Sequence, residues 1–138
     1  MKKVLVAGDF GKLHSGHLMH IAKAYDLGDW LYIVTHGDAS IMARKSYVPD
    51  PLTMRVFMLG TWLKGLGGRG EVLLAEDEDG TVCGAIRSLA PHIFAKGGGY
   101  TRETLPIGER EACNSIGCEI VFGIGSRLNQ SRNLAGEP

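Results

Sequence analysis

The chain alternates between short apolar runs and longer segments in which apolar residues recur every three to four positions. The run Val4-Leu5-Val6-Ala7 is apolar at successive positions, which is typical of a parallel strand buried on both faces. The next segment places Leu18, Ile21 and Tyr25 on one side, which predicts a helix. Applied along the whole chain, the same patterns predict strands over 3–7, 30–35, 71–75, 93–95 and 119–122. They predict helices over 18–27, 52–66, 81–89 and 103–115, the last interrupted near Pro106.

Strands that alternate with helices predict an α/β fold, in which a parallel sheet carries helices on its faces. The order of elements favours a Rossmann-like, doubly wound sheet of five parallel strands, forming a single domain over 1–138. No G-x-G-x-x-G run opens the first helix, which disfavours a dinucleotide site of the NAD type. The segment 39–50 is polar and basic and runs into two prolines, so we expect a mobile loop over the site.

Composition narrows the function classes. The 15 lysines and arginines balance the 15 aspartates and glutamates, and this balance disfavours nucleic acid and membrane surfaces as partners. Three cysteines, an odd number without C-x-x-C spacing, indicate a reducing compartment such as the cytoplasm. The N-terminus does not resemble a signal peptide, and no apolar stretch approaches the length needed to cross a bilayer.

The loop after the first predicted strand carries the strongest chemical signal. It runs Gly8-Asp9-Phe10-Gly11-Lys12-Leu13-His14-Ser15-Gly16-His17 and leads into a helix. A helix start directs backbone N–H groups and positive dipole toward one point, which suits a phosphate. His14 and His17 are three residues apart, so both can face the same ligand. A structural zinc site is disfavoured because no cysteine pair lies nearby, and His20 is interpreted as a structural residue.

A second glycine-rich loop, Lys96-Gly97-Gly98-Gly99-Tyr100-Thr101, follows the predicted strand 93–95. Ligands of open α/β sheets collect at the carboxyl ends of the strands, so Lys96 is a candidate ligand-binding residue. Other cations are ambiguous. Arg55 either binds ligand or pairs with an acid on a helix surface, Lys12 either touches phosphate or is solvated, and Arg44 is interpreted as a solvated surface residue.

The first loop resembles the signature G-x-F-D-x-x-H-x-G-H of the cytidylyltransferase-like nucleotidyltransferases. The stretch His14-Ser15-Gly16-His17 matches its paired-histidine part in full. The second loop, continued through Arg102-Glu103-Thr104, resembles the run K-G-G-D-Y-x-x-E-T of the adenylyltransferase domain of ADP-heptose synthases. Asn129-Gln130-Ser131-Arg132 stands at the place of the family's S-T-T-R element.

This resemblance implies transfer of a nucleotidyl group, AMP from ATP in preference to CMP from CTP, to a phosphorylated sugar or alditol with release of pyrophosphate. It also implies Mg²⁺ as a cofactor that arrives with the triphosphate, and a homodimer. The catalytic residues it implies are His14, His17 and Lys45. The nucleotide- and substrate-binding residues it implies are Gly8, Asp9, Phe10, Gly11, Lys12, Gly16, Arg55, Lys96, Gly97, Gly98, Gly99, Tyr100, Ser131 and Arg132.

Two positions depart from the family pattern, since Gly11 and Gly99 stand where the family has acids. Asp9 lies close before the first of these positions, but its different place in the loop is expected to point its side chain elsewhere. The departures keep two alternatives open: a CTP-dependent, glycerol-3-phosphate-type cytidylyltransferase, which the Lys96 loop disfavours, and a catalytically impaired nucleotide-binding module.

Overall fold

The computed structural model describes residues 1–125. Strands and helices alternate along this part of the chain, as the apolar pattern predicts. The elements are β1 Lys3–Ala7, α1 Ser15–Tyr25, β2 Trp30–Thr35, α2 Asp38–Lys45, α3 Leu52–Leu66, β3 Gly70–Leu74, α4 Cys83–Leu89, β4 Ile93–Ala95, α5 Ile107–Ile116 and β5 Glu119–Val121.

The five strands form one parallel sheet in the order β3-β2-β1-β4-β5. The most central strand, β1, pairs with β2 on one side and β4 on the other, so that Val4 is aligned with Leu31 and with Ile93. The chain changes direction across the sheet between β1 and β4, and such switch points open a crevice at the carboxyl ends of the strands. The predicted Rossmann-like α/β fold is confirmed.

Each face of the sheet is covered by helices, and the alternation of side chains along β1 explains how. Val4 and Val6 pack with residues of α1 and α3, including Ile21 and Leu59. Leu5 points to the opposite face and packs with residues of α4 and α5. β1 is therefore buried on both sides, as its continuous apolar run predicts. None of the helices within residues 1–125 is long and apolar enough to span a membrane.

The expectation of a mobile loop over 39–50 is wrong for its first half, which forms helix α2. Ile41 is fully buried and anchors this helix. Asp38 lies in its first turn, and Arg44 and Lys45 lie in its last turn, where each charge complements the helix dipole. A single buried apolar residue in a polar segment is too weak a periodic signal to reveal a helix of 8 residues.

Three other helices begin at residues different from those predicted. α1 begins at Ser15 because His14 caps it through its side chain, whereas the apolar pattern begins only at Leu18. α4 begins at Cys83, two residues after the predicted start. α5 begins at Ile107, directly after Pro106, because proline favours a helix start; the predicted interruption near Pro106 is therefore the beginning of the helix.

Candidate active site

A cavity of about 820 Å³ opens at the carboxyl ends of β1 and β4. It is bordered by both glycine-rich loops, by the start of α1 and by the end of α2. A smaller and more open depression of about 340 Å³ between α3 and β3 contains none of the predicted site residues. The predicted residues that line the large cavity are Gly8, Asp9, Phe10, Gly11, Lys12, His14, Gly16, His17, Lys45, Lys96, Gly97, Gly98, Gly99 and Tyr100.

The two histidines of the first loop form the N-terminal cap of α1. The Nδ1 atom of His14 accepts a hydrogen bond from the backbone N–H of Gly16 at 3.0 Å. The backbone N–H of His14 donates in turn to Nδ1 of His17 at 3.3 Å, so the two residues form a reciprocal capping box. Their rings stack with centroids 3.8 Å apart, which places both imidazoles side by side at the cavity.

These backbone contacts define the tautomer of each ring. A ring nitrogen that accepts a hydrogen bond carries no proton, so neutral His14 and His17 both bear their proton on Nε2. Burial, together with the electrostatic effect of the nearby His14, His20 and Lys45, lowers the pKa of His17 to about 4. His17 is therefore neutral near pH 7 and has one N–H to donate to a ligand. The rings of Phe10 and His17 meet edge to face, with their centroids 5.3 Å apart, and this contact supports the orientation of the His17 ring.

Asp9 lies at the centre of a cluster of cations, contrary to the expectation that its side chain points elsewhere. Its carboxylate accepts from the guanidinium of Arg44 at 2.8 and 3.3 Å. Nζ of Lys45 lies 2.7 Å from Oδ2, and Nδ1 of His36 lies 3.1 Å from Oδ1. The interpretation of Arg44 as a solvated surface residue is also wrong. The backbone turns sharply at the next residue, Phe10, whose φ is +50°.

The charges in this cluster stabilise one another. Burial alone would raise the pKa of Asp9, but the hydrogen bonds from His36, Arg44 and Lys45 outweigh it and hold that pKa well below its usual range. Nε2 of His36 lies 3.0 Å from the carbonyl oxygen of Thr81, so both ring nitrogens face oxygens. Although burial opposes it, the contacts with Asp9 and Thr81 raise the pKa of His36, which favours the imidazolium form.

Arg55 supports the site from beneath and does not line the cavity. Its side chain is fully buried and forms an ion pair with Asp38, so the expected pairing with an acid is found, but in the interior and not on the helix surface. The guanidinium is positioned by α3 and reaches the loops that follow β1 and β2. It donates hydrogen bonds to the backbone carbonyls of Asp9, His36 and Asp50, and to the side chains of Thr35 and Asp38.

Lys96 is a buried cation at the β4 side of the cavity, with 7% of its surface exposed. Its ammonium lies 4.0 Å from the centroid of the Tyr100 ring and 4.9 Å from that of Phe94. Burial lowers the pKa of Lys96, and the negative charge of Glu109 opposes that change. Aromatic faces attract a cation without neutralising its charge, so Lys96 can still attract an anion in the cavity.

The cavity residues that sequence reasoning missed include His20, His36 and Glu109. His20, interpreted as structural, donates from Nδ1 to the carbonyl oxygen of Ile124 at 2.7 Å, and burial lowers its pKa. Its spacing of three residues from His17 on a helix was an available signal. His36 directly follows β2 and so lies at the carboxyl end of a strand, which was a second available signal. For Glu109, the surrounding sequence contains no signal that α5 brings this residue to the cavity.

Residues 1–125 contain no cluster of three or more His, Cys, Asp or Glu side chains that could hold a metal ion. Both oxygens of Asp9 are taken by cations. The described residues therefore offer no protein cage for Mg²⁺, which commonly binds through substrate phosphates and water with few carboxylates.

Curated relatives cover most of this chain. The bifunctional protein HldE of Proteus mirabilis is 36% identical over 104 residues, which are 74% of this chain and 21% of that protein. HldE of Pelobacter propionicus is 32% identical over 133 residues, 91% of this chain and 23% of that protein. The chain thus spans less than a quarter of the relatives it matches. The chain belongs to the cytidylyltransferase-like nucleotidyltransferase family. No family model matches the chain.

Solved structures share the fold of this nucleotidyltransferase. A lipopolysaccharide core biosynthesis protein from Thermoplasma volcanium superposes with a TM-score of 0.65 at 20% identity, covering 89% of this chain and 94% of that one. A protein of unknown function from Archaeoglobus fulgidus gives a TM-score of 0.67 at 22% identity, covering 96% and 95%. At these identities the likeness extends to the fold alone.

The departure from the family pattern at Gly11 has a local structural reason. A Cβ atom built on Gly11 would overlap the hydroxyl of Tyr47, which also lines the cavity. The tyrosine hydroxyl therefore fills the space in which the family's acid would begin. The predicted phosphate-binding residues Ser131 and Arg132 lie outside the described residues.

Proposed function

We propose that this nucleotidyltransferase transfers AMP from ATP to a phosphorylated sugar such as heptose 1-phosphate and releases pyrophosphate. The matches to HldE proteins and the resemblance of the Lys96 loop to ADP-heptose synthases support this acceptor class. A phosphate oxygen of the acceptor forms a bond to the α-phosphorus of ATP. The bond between that phosphorus and the bridging oxygen breaks, and pyrophosphate leaves with the electron pair.

The paired imidazoles of His14 and His17 carry this proposal. The acceptor phosphate is already a nucleophile, so the protein must position the reactants in line and stabilise the negative charge that develops at phosphorus. Two Nε2–H donors, fixed side by side at a helix N-terminus, meet this requirement. The neutral form of His17 needs no change of protonation during the reaction.

Lys45 supplies a mobile positive charge. Its side chain is 51% exposed and is held in the structure through Asp9, whereas Arg44 binds the same carboxylate with two contacts. An incoming triphosphate competes with Asp9 for the lysine, because it carries more negative charge. In this proposal Lys45 moves to the phosphates while Arg44 and His36 keep Asp9 in place.

The triphosphate enters as its magnesium complex, with the ion bound mainly by phosphate oxygens and water. Homodimer formation, which the family resemblance implies, is part of the proposal. Light scattering in solution tests it, with a mass of twice 14.9 kDa as the expected result and the monomer mass as the contrary one.

The direct test measures pyrophosphate release with Mg²⁺ while ATP and CTP are crossed with heptose 1-phosphate and glycerol 3-phosphate. Turnover with ATP and the heptose phosphate is the expected result. Turnover only with CTP and glycerol 3-phosphate would replace it with the cytidylyltransferase alternative. If no pair reacts while calorimetry still detects nucleotide binding, the proposed activity is wrong and the nucleotide-binding module is favoured.

A further inference from the structure

Glu109 is a buried carboxylate that the proposed reaction does not use. It lies in α5, lines the cavity near Lys96 and has 4% of its surface exposed. Oε2 accepts a hydrogen bond from the backbone N–H of Val82 at 3.0 Å. Oε1 has less than 1 Å² of accessible surface and no hydrogen-bond partner. A buried acceptor without a partner is costly, so its presence at a cavity requires an explanation.

The surroundings of Glu109 indicate which kind of group it accepts. Among residues 1–125, the ion pairs with N–O distances up to 4.0 Å do not include either Lys96 or Glu109. The second glycine-rich loop, 96–101, contributes no carboxylate, because Gly99 stands at the position where the family pattern has an acid. Burial raises the pKa of Glu109, while Lys96 and the Val82 N–H oppose that change and favour the carboxylate. As a carboxylate, Glu109 provides negative charge on this side of the cavity, beside a lysine that attracts anions. A ligand that suits both must combine phosphate groups with a hydrogen-bond donor.

We propose that Glu109 accepts a hydrogen bond from a hydroxyl group on a sugar ring of a bound substrate. The carboxylate rotates toward the cavity when the ligand arrives, while the Val82 N–H keeps its hold on the other oxygen. The hydroxyl has two possible sources, the ribose of the nucleotide or the ring of the sugar phosphate. This inference rests on the proposed function only in one respect, namely that the ligand is a nucleotide or a sugar phosphate.

The hydroxyl is identified by deleting it. Calorimetry measures the affinities of ATP, 2′-deoxy-ATP, 3′-deoxy-ATP, heptose 1-phosphate and singly deoxygenated heptose 1-phosphates for the wild-type chain and for Glu109→Gln. A hydrogen bond to a charged group contributes roughly 10- to 100-fold in affinity. In the wild type we expect this loss for one deoxy compound, and in Glu109→Gln we expect the same deletion to change affinity less than about threefold. The compound concerned identifies the source.

Two controls separate ligand binding from structure. Glutamine keeps an oxygen for the Val82 N–H, and Glu111→Gln neutralises an exposed carboxylate of the same helix, so this control should respond to every deletion as the wild type does. Equal responses of the wild type and Glu109→Gln to all compounds would overturn the inference, and so would a failure of both substrates to bind. Because binding is measured without turnover, a hydroxyl effect without pyrophosphate release would refute the proposed function and leave this inference standing.

Discussion

Replacing His17 by asparagine or glutamine separates the two functions that the structure gives to this ring. Nδ1 accepts from the backbone of His14, whereas Nε2 is the free donor. Asparagine places an oxygen where Nδ1 lies and has no group at the Nε2 position. Glutamine places an amide nitrogen near the Nε2 position and weakens the cap. The two variants therefore remove different halves of the same side chain.

The expected magnitude follows from the role of a single transition-state donor. Removing one such donor costs about 10²–10³ in kcat, or roughly 3–4 kcal/mol. His17→Asn should show this loss, with a melting temperature close to that of the wild type. His17→Gln should retain more activity, although loss of a cap contact costs about 0.5–2 kcal/mol of stability. The Kd for ATP should change less than tenfold in both, because the donor acts mainly on charge that develops during the reaction.

The assay is single-turnover pyrophosphate release, with ATP affinity measured separately by calorimetry. A loss of less than tenfold in His17→Asn would refute the catalytic assignment, and equal losses in both variants would refute the division between the two nitrogens. The pH profile adds a further check. The pKa of His17 is lowered to about 4, so its titration should not affect kcat/KM near pH 6.5. Any change in the slope of the pH profile near pH 6.5 should therefore be the same in the wild type and in His17→Gln.

Three further predictions concern the loops around the site. Asp9→Asn should lower the free energy of unfolding in urea by about 3–5 kcal/mol, because three cations lose their partner. The lowered pKa of Asp9 and the raised pKa of His36 mean that this difference is full between about pH 3.8 and pH 6.5. It shrinks as pH falls toward the lowered pKa of Asp9 or rises through the raised pKa of His36, and equal stability of variant and wild type would contradict the cluster. Arg55→Met should lower the free energy of unfolding by about 3–5 kcal/mol, because buried carbonyl oxygens lose their hydrogen-bond donor. Arg87→Met, a control at an exposed position, should lower it by less than about 0.5 kcal/mol. Similar losses in the two variants would show that Arg55 does not support the site. Gly11→Ala should cost roughly 1 kcal/mol through its overlap with Tyr47 and nothing in a Tyr47→Ala background, and the same cost in both backgrounds would place the strain elsewhere.

The parts of the site that the sequence predicted are those encoded locally. His14 and His17 cap the helix that they begin, so their spacing alone brings both imidazoles together. Lys96 directly follows a buried strand, and the carboxyl end of a parallel strand is where ligands of this fold collect. In both cases a short stretch of sequence contains the whole structural reason.

The Asp9 cluster could not be predicted in the same way because its members come from distant positions. His36 and Arg44 are separated from Asp9 by 27 and 35 residues, as the numbering shows. Their meeting depends on the pairing of β1 with β2 and on helix α2. The orientation of Asp9 further depends on the turn at Phe10, whose positive φ could not be predicted from the sequence. Because the periodicity of α2 is weak, the sequence indicated neither this helix nor the contacts that its residues Arg44 and Lys45 make with Asp9.

In the proposed reaction, the bond that breaks is the one between the α-phosphorus of ATP and the oxygen that bridges to the β-phosphorus. This assignment is tested by incubating the chain and heptose 1-phosphate with ATP labelled with ³²P at either the α or the γ position, and by separating the sugar product from pyrophosphate. In the proposed reaction the α-label enters the sugar product and the γ-label is found only in pyrophosphate. Transfer of γ-label to the sugar, or no transfer of either label, would contradict it.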